Sequence, residues 1–298
     1  MKLYKTTIKP LSSFATALKG DTLFGQLCWA IKFVFGEQKL NELLKNYESK
    51  PFLVVSDAFA SGYLPKPTTS SAMLGEDLSQ KKQNRKKIWL SRKDLQNGEF
   101  SLAKTNEEIG NSKLSFLSVK NSINRLTFTT DEGDFAPFAL IENTFSEQDI
   151  YFLLDENKIS LEELKESFEL VSKMGYGKKA SIGKGRFEIK DFIQISDFLD
   201  SSANAFVTLS ASVLNGFEES YYEPFTRFGK HGATLANDKP FKAPILLANT
   251  GALIVPNADK KSRILEFGYI GKGIKGHSPH TNSVHQGYSI VLSTKVVK

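Results

Sequence analysis

Cysteine and histidine are scarce in this chain of 298 residues, which has one of the first (Cys28) and four of the second. A single cysteine excludes an intrachain disulfide and any zinc site built on cysteine pairs. No apolar run approaches the roughly 18 residues that a membrane-spanning helix needs. The opening MKLYKTTIKPLSSF alternates apolar and polar residues, which predicts a strand and not a secretory leader, so a cytoplasmic protein is expected. The chain has no Gly-x-Ser-x-Gly elbow, no HExxH and no paired-carboxylate motif, so the common hydrolytic centres are not expected.

Acidic residues are missing from two windows, and there the sequence becomes informative. The first runs from Lys173 to Arg186. It holds Gly175, Gly177, Gly183 and Gly185 interleaved with Lys178, Lys179 and Lys184, in MGYGKKASIGKGRF (174–187). Glycine permits close backbone approach and positive φ, and the lysines offer charge to a polyanion. Five residues separate Gly177 from Gly183, so the spacing is not that of a Walker loop. The order of elements is also wrong for a nucleotide fold. Leu161, Leu164, Phe168 and Val171 have helical spacing before the loop, and Phe187 and Ile189 alternate after it. A phosphate loop of the mononucleotide kind follows a strand and precedes a helix. The remaining readings are a helix C-cap with a solvated turn, or a cradle for a nucleic-acid backbone.

The second window, Gln80 to Lys93, carries seven lysines and arginines, among them Lys86 and Lys87. Ile88, Trp89 and Leu90 interrupt it. Trp89 is placed either to stack on a base or to anchor the segment to the core. With a net charge of +6 over the whole chain, an anionic partner is expected.

Strand, helix (21–36, with Asp21 as its N-cap and Gly36 as its end), strand, two further strands at FAPFALIENTF and IYFLLDE, helix and strand make a βαββαβ order. Residues 61–124 interrupt it as a polar, basic insertion. A second block from about Ala203 is richer in strands, with PILLANTGALIV, ILEFGYIG and GYSIVLSTKVV among them. It carries a loop, EPFTRFGKHG, with Arg227, Lys230 and His231. Arg125 lies in a strand-like stretch free of acids from Lys113 to Thr130, free either to meet phosphate or to pair with an internal carboxylate. His277, His280 and His285 crowd one segment, but Pro279 and the spacing argue against a metal site. They are expected in a solvated loop. The rival reading is a general acid/base for metal-free RNA cleavage.

Taken in order, LKGDTLFGQLCWAI (18–31), SDAFASGYLPKP (56–67), NSINRLTFTT (121–130), MGYGKKASIGKGRF and VHQGYSIVL resemble the RAMP-superfamily subunits, fourth in the Csm series, of type III-A CRISPR–Cas effector complexes. The resemblance runs almost from end to end. It departs at Phe128, where such subunits often have glycine. It implies an α+β fold of two tandem ferredoxin-like (RRM-like) RAMP domains, 1–197 and 198–298, with the insertion of about 61–124 as a thumb-like hairpin in the first. It further implies a non-catalytic protein without cofactor or metal. Its partners would be the 5′ repeat-derived tag of the crRNA, target RNA near the tag, the large subunit with polymerase-like and HD domains, and the first backbone RAMP subunit of the Csm complex.

On this reading the RNA-binding residues are Gly175, Tyr176, Gly177, Lys178, Lys179, Ser181, Gly183, Lys184 and Gly185 of the loop. Lys19, Arg125, Arg227 and Lys230 lie beside them, and Lys86, Lys87 and Trp89 on the thumb. The alternative is a metal-independent, guide-processing endoribonuclease using a histidine of 277–285. A third reading is a structural adaptor whose basic surface meets an acidic protein.

Overall fold

The opening strand forms as expected. In the computed structural model, which describes residues 1–130, 132–236 and 239–296, β1 (Lys2–Pro10) lies inside a mixed-order antiparallel sheet. It is followed by α1 (Gly20–Leu44) and β2 (Leu53–Val55). The insertion ends with β3 (Leu114–Lys120), and β4 (Phe138–Thr144), β5 (Gln148–Leu154), α2 (Leu161–Met174), β6 (Phe187–Ile189) and β7 (Ile193–Ile195) follow it. β5 pairs with both β1 and β2, and β6 and β7 pair with the other edge of β1. That order (last, first, third, second) is the ferredoxin-like winding.

Local chemistry explains the elements. Ser160 and Glu163 form a reciprocal capping box at the start of α2, whose Leu164, Phe168 and Val171 face the sheet. α1 buries Leu23, Phe24, Leu27 and Ile31. Gly36, at φ 90°, breaks it where expected, and a second helical piece continues to Leu44. β5 is buried along its whole length because both of its faces are covered. Phe152 meets Phe168 of α2 at 5.3 Å between ring centroids, while Tyr151 meets Phe198 at 5.0 Å on the other side.

The second lobe contains β8 (Ala205–Thr208), β9 (Pro224–Arg227), β10 (Ile245–Ala248), β11 (Leu253–Val255), α3 (Ala258–Phe267), β12 (Tyr269–Ile274) and β13 (His285–Thr294). β8, α3, β12 and β13 follow the same ferredoxin-like course, β13 lying between β8 and β12. The place of the fourth strand beside β8 is taken by β11, which comes before the helix in the chain. β9 and β10 form a separate hairpin. The expectation of a strand over ILEFGYIG is corrected. Asn257 caps α3 through Lys260 N–H, and the helix runs to Phe267 before Gly268, at φ 77°, turns the chain into β12. One hydrophobic core spans both lobes. Tyr288 of β13 stands edge-on to Tyr47 at 5.5 Å and donates its hydroxyl to Tyr47 O at 2.9 Å.

The insertion divides differently from the expected 61–124. Leu64, Leu90, Leu95 and Phe100 are buried, and they draw the basic part back onto the body as a small hairpin (63–65 with 89–91) and a short helix, Arg92–Asn97. The projecting element is the β3–β4 hairpin, residues 114–144. One of its faces turns inward through Leu140 and Glu142. The other presents Leu117, Val119, Ala139 and Ile141 to solvent.

Arg125 lies in the turn at the tip of this hairpin and not in a strand, a second correction. The tip closes through Phe128 N–H to Asn124 O at 2.8 Å and Asn124 N–H to Thr129 O at 3.0 Å. That closure holds Phe128 at φ 57°, a region that suits glycine or asparagine better than an aromatic residue. Position 128 is therefore left-handed, the backbone conformation that glycine takes most readily. Phe128→Asn should relieve roughly 0.5–1 kcal/mol of local strain. Hydrogen exchange of the residue-128 amide would slow by a few-fold, and faster exchange would refute this account of the turn.

Candidate nucleic-acid interface

The glycine-rich loop is a tightly folded staple. Tyr176 is fully buried; its hydroxyl donates to Ala17 O at 2.8 Å and accepts from Lys19 N–H at 3.1 Å. Burial pushes this phenol well above its ordinary range. Its backbone N–H donates to Gly185 O at 2.8 Å, and Gly185 N–H donates to Ser13 O at 2.9 Å. A Cβ on Gly185 would lie 2.1 Å from Tyr176 O, and one on Gly175 would lie 2.3 Å from Lys184 O. Both glycines also have positive φ. They are there so that the two ends of the loop can touch. Gly177 serves the seating on the other side, where a Cβ would meet Thr16 at 2.6 Å.

The lysines divide. Lys184 points inward to Glu142 of β4 at 2.5 Å and to Ser13 at 2.9 Å. Glu142 is almost wholly buried, and the Lys184 ammonium, the Ser13 hydroxyl and Lys120 hold its carboxyl down at about 2 against the opposing effect of burial. The Lys184 charge is thus neutralised inside the fold, and its expected place on the RNA surface is corrected. Lys178 is exposed, with its N–H donating to Thr16 Oγ1 at 2.9 Å. Lys179, at φ 67°, lays its ammonium 4.4 Å from the centroid of the Phe138 ring. Ser181 and Gly183 are exposed beyond it. Among the described residues, the N–H groups of Lys179, Ala180 and Ser181 find no acceptor. An outward crown of Lys178, Lys179 and Ser181 is joined through Phe138 and the Glu142–Lys184 pair to the strands of the hairpin, whose connecting turn carries the exposed Arg125.

The other expected residues lie elsewhere or are already engaged. Lys19 binds Asp57 at 2.7 Å and Asn249 Oδ1 at 3.1 Å. Asp57 also accepts from Gly20 N–H at 2.8 Å, so it performs the helix-capping role expected of Asp21. Asp21 is instead gripped by the Arg227 guanidinium, with Nε and Nη2 each 2.6 Å from a carboxylate oxygen. Arg227 is therefore part of the seam between the lobes and is corrected as a free phosphate ligand. Trp89 donates Nε1–H to Asn106 at 2.8 Å and packs against the core, the anchoring place of the two expected for it. Lys86 is exposed and Lys87 half-buried, both on the folded-back part of the insertion and not on the projecting hairpin. Lys230 is exposed over the Phe241 ring, at 5.4 Å, on the β9–β10 hairpin.

The histidines correct another expectation. His231, His277 and His285 are buried; His285 lies 3.3 Å from Asp21 and stands edge-on to His277, while His231 stands edge-on to His280. No group of three or more His, Cys, Asp or Glu among the described residues is arranged to hold a metal ion. Also among the described residues, no helix is long and apolar enough to cross a membrane.

Glu142, Ser13, Thr16 and Phe138 organise the site and were not expected. The single signal was an isolated glutamate within the apolar FAPFALIENTF.

No family model and no curated protein matches the sequence. Solved structures do. A chain of the crystal structure of a Csm1-Csm4 cassette in complex with pppApA aligns over 100% of both chains at 16% identity, with a TM-score of 0.62. A chain of the Csm3-Csm4 subcomplex in the type III-A CRISPR-Cas interference complex aligns over 99% of this chain and 100% of that one, at 16% identity and a TM-score of 0.60. The Csm1-Csm4 cassette in complex with cA4 gives 16% and 0.60 over both full lengths. At these identities the likeness establishes the fold, tandem ferredoxin-like domains from end to end.

Proposed function

We propose that this chain is a non-catalytic, RNA-binding subunit of a type III-A CRISPR effector complex working in the cytoplasm. It would hold the 5′ repeat-derived tag of the crRNA and stand between a large signalling subunit and a backbone RAMP subunit. The observation that carries this is the end-to-end correspondence with structures whose chains pair as Csm1-Csm4 and as Csm3-Csm4. A chain of this fold met in both pairings has a neighbour of each kind.

The surface supports a sequence-tolerant contact with single-stranded RNA. Lys178 and Lys179 offer charge, and the free N–H groups of 179–181 offer donors to phosphate oxygens. The open apolar face of the β3–β4 hairpin would lie against the guide–target duplex near the tag. A rigid loop loses little conformational entropy on binding, which favours affinity.

Each phosphate neutralised on a single strand contributes about −0.7 to the slope of log affinity against log salt. Lys178→Ala with Lys179→Ala should therefore flatten the slope for tag-bearing RNA by about 1.4. Titrations at several salt concentrations measure it, and an unchanged slope removes the loop from the RNA site. Incubation of the protein with repeat-bearing RNA in EDTA tests the absence of catalysis. Site-specific cleavage lost in His285→Ala would replace this reading with that of a processing ribonuclease.

A further inference from the structure

The histidine cluster lies at the seam where α1 meets the second lobe. His277 is buried, and neither of its ring nitrogens has a hydrogen-bond partner. Its ring stands edge-on to His285 at 5.8 Å. His285 Nε2 is 3.3 Å from Asp21 Oδ2 without completing a hydrogen bond. His231 is engaged with Ser278 Oγ at 2.7 Å and stacks edge-on to His280 at 4.8 Å. Lys242, whose N–H donates to Gly229 O at 2.9 Å, precedes Ala243, whose N–H donates to His277 O at 2.7 Å; its ammonium, which burial makes less basic than usual, has no carboxylate within ion-pair distance among the described residues.

Charge decides what such a place accepts. Asp21 is the acid facing the cluster, and the Arg227 fork already neutralises it. What remains is one lysine, imidazole nitrogens without hydrogen-bond partners and the half-buried Cys28, whose thiol is pushed up to about 12 by its apolar surroundings. A cation would be repelled by Lys242. A neutral ligand would leave Lys242 uncompensated. An oxyanion with several acceptor atoms compensates Lys242 and takes hydrogen bonds from imidazoles that become donors when protonated.

We infer that His277, His285 and Lys242 form a binding site for a phosphate group, distinct from the crown of the glycine-rich loop. The inference does not rest on the RNA-binding reading. The phosphate comes either from a backbone diester or from a terminal monoester, and the chemistry of recognition is shared.

The site carries a pH signature. Burial first, then Lys242 and the neighbouring histidines, hold His277 and His231 down at about 4. Lys242, His285 and His231 act on His277, and the nearby acid is Asp21, which lies beside His285 and Arg227. A phosphate anion placed among them reverses the balance and favours the protonated ring.

The experiment is histidine NMR on the full chain with ¹³C at the ring ε1 position, which gives four signals for four residues. Three probes are titrated in separate arms: inorganic phosphate, adenosine 5′-monophosphate, and the diester ApA without terminal phosphate. The expected result is that the His277 titration moves up by about one unit or more, a tenfold or greater preference for the protonated site. The effect should be lost in Lys242→Met. A response to ApA assigns the site to backbone phosphate, and a response only to the monoesters assigns it to a terminal phosphate. No movement of His277 with any probe overturns the inference, as does a response that persists in Lys242→Met. Either failure leaves the salt slope of RNA binding untouched, so the two readings fall separately.

Discussion

Replacing Asp21 with alanine is expected to destabilise the protein by about 3–5 kcal/mol, the range for removing one partner of a buried ion pair. The Asp21 side chain is only 2% exposed, and both of its oxygens sit 2.6 Å from the Arg227 guanidinium. Burial by itself would raise this carboxyl; His285 and Arg227 more than offset it and hold it far below the usual carboxylate range. Alanine leaves the half-buried Arg227 without its counter-charge, at the point where α1 of the first lobe meets β9 of the second. The loss should appear as a lower urea midpoint. It should also raise protease access to residues 228–236, because the β9–β10 hairpin is tied to the body there.

A second variant separates the pair from simple packing. Asp21→Ala combined with Arg227→Leu removes both charges, and such replacements commonly recover much of the lost stability. The double variant should lie at least about 1.5 kcal/mol above the single one in a thermodynamic cycle. A loss below about 1 kcal/mol in Asp21→Ala would show instead that the pair behaves as a solvated surface bridge.

How much of this was legible in the sequence depends on the distance over which each signal acts. The winding of the first lobe follows from local periodicity, since the apolar spacing of 161–174 and the alternation of 1–9 survive folding unchanged. The Gly36 break was legible for the same reason. Side-chain partners tens to hundreds of residues away were not. Lys184 reads as a free cation because its carboxylate stands 42 residues upstream, and Arg227 reads so because Asp21 is 206 residues away. Trp89 illustrates the opposite error. A basic setting suggested stacking, but buried leucines on either side drew the whole segment down onto the core. The loop glycines were rightly singled out and differently explained. They are required for contact between the two ends of the loop, with the cradle for a ligand confined to the few residues between them. The histidines failed because a Gly- and Pro-containing segment looks solvated unless one knows that Ala243 N–H donates to His277 O and His231 meets Ser278.

Lys184→Met is the sharper test of the glycine-rich loop, because the two roles of this lysine give opposite results. As the partner of Glu142 it neutralises a carboxylate whose side chain is 1% exposed, with Lys120 a distant second cation at 3.7 Å. Methionine keeps the length of the stem and removes the charge. The expected loss is about 3–5 kcal/mol, because Glu142 is left buried beside Ser13 and Lys120 alone. It should be local, undocking β3–β4 from the loop, so hydrogen exchange of 138–144 should accelerate before that of β5. The pH dependence gives an independent reading. Glu142 is held at about 2 against an ordinary 4.5, chiefly by Lys184, so its contribution is fully present above pH 4.5 and is lost as pH falls towards 2. The wild type should therefore lose stability through this window, and Lys184→Met should lose much less there because the contribution is already gone. Adding Glu142→Gln to Lys184→Met should restore part of the stability at pH 7, since a neutral amide no longer needs a counter-charge. An exposed lysine that met RNA would behave otherwise. Its removal would leave stability within about 0.5 kcal/mol and reduce the salt slope by about 0.7. That second pattern would return Lys184 to the RNA surface and break the link between the loop and the hairpin.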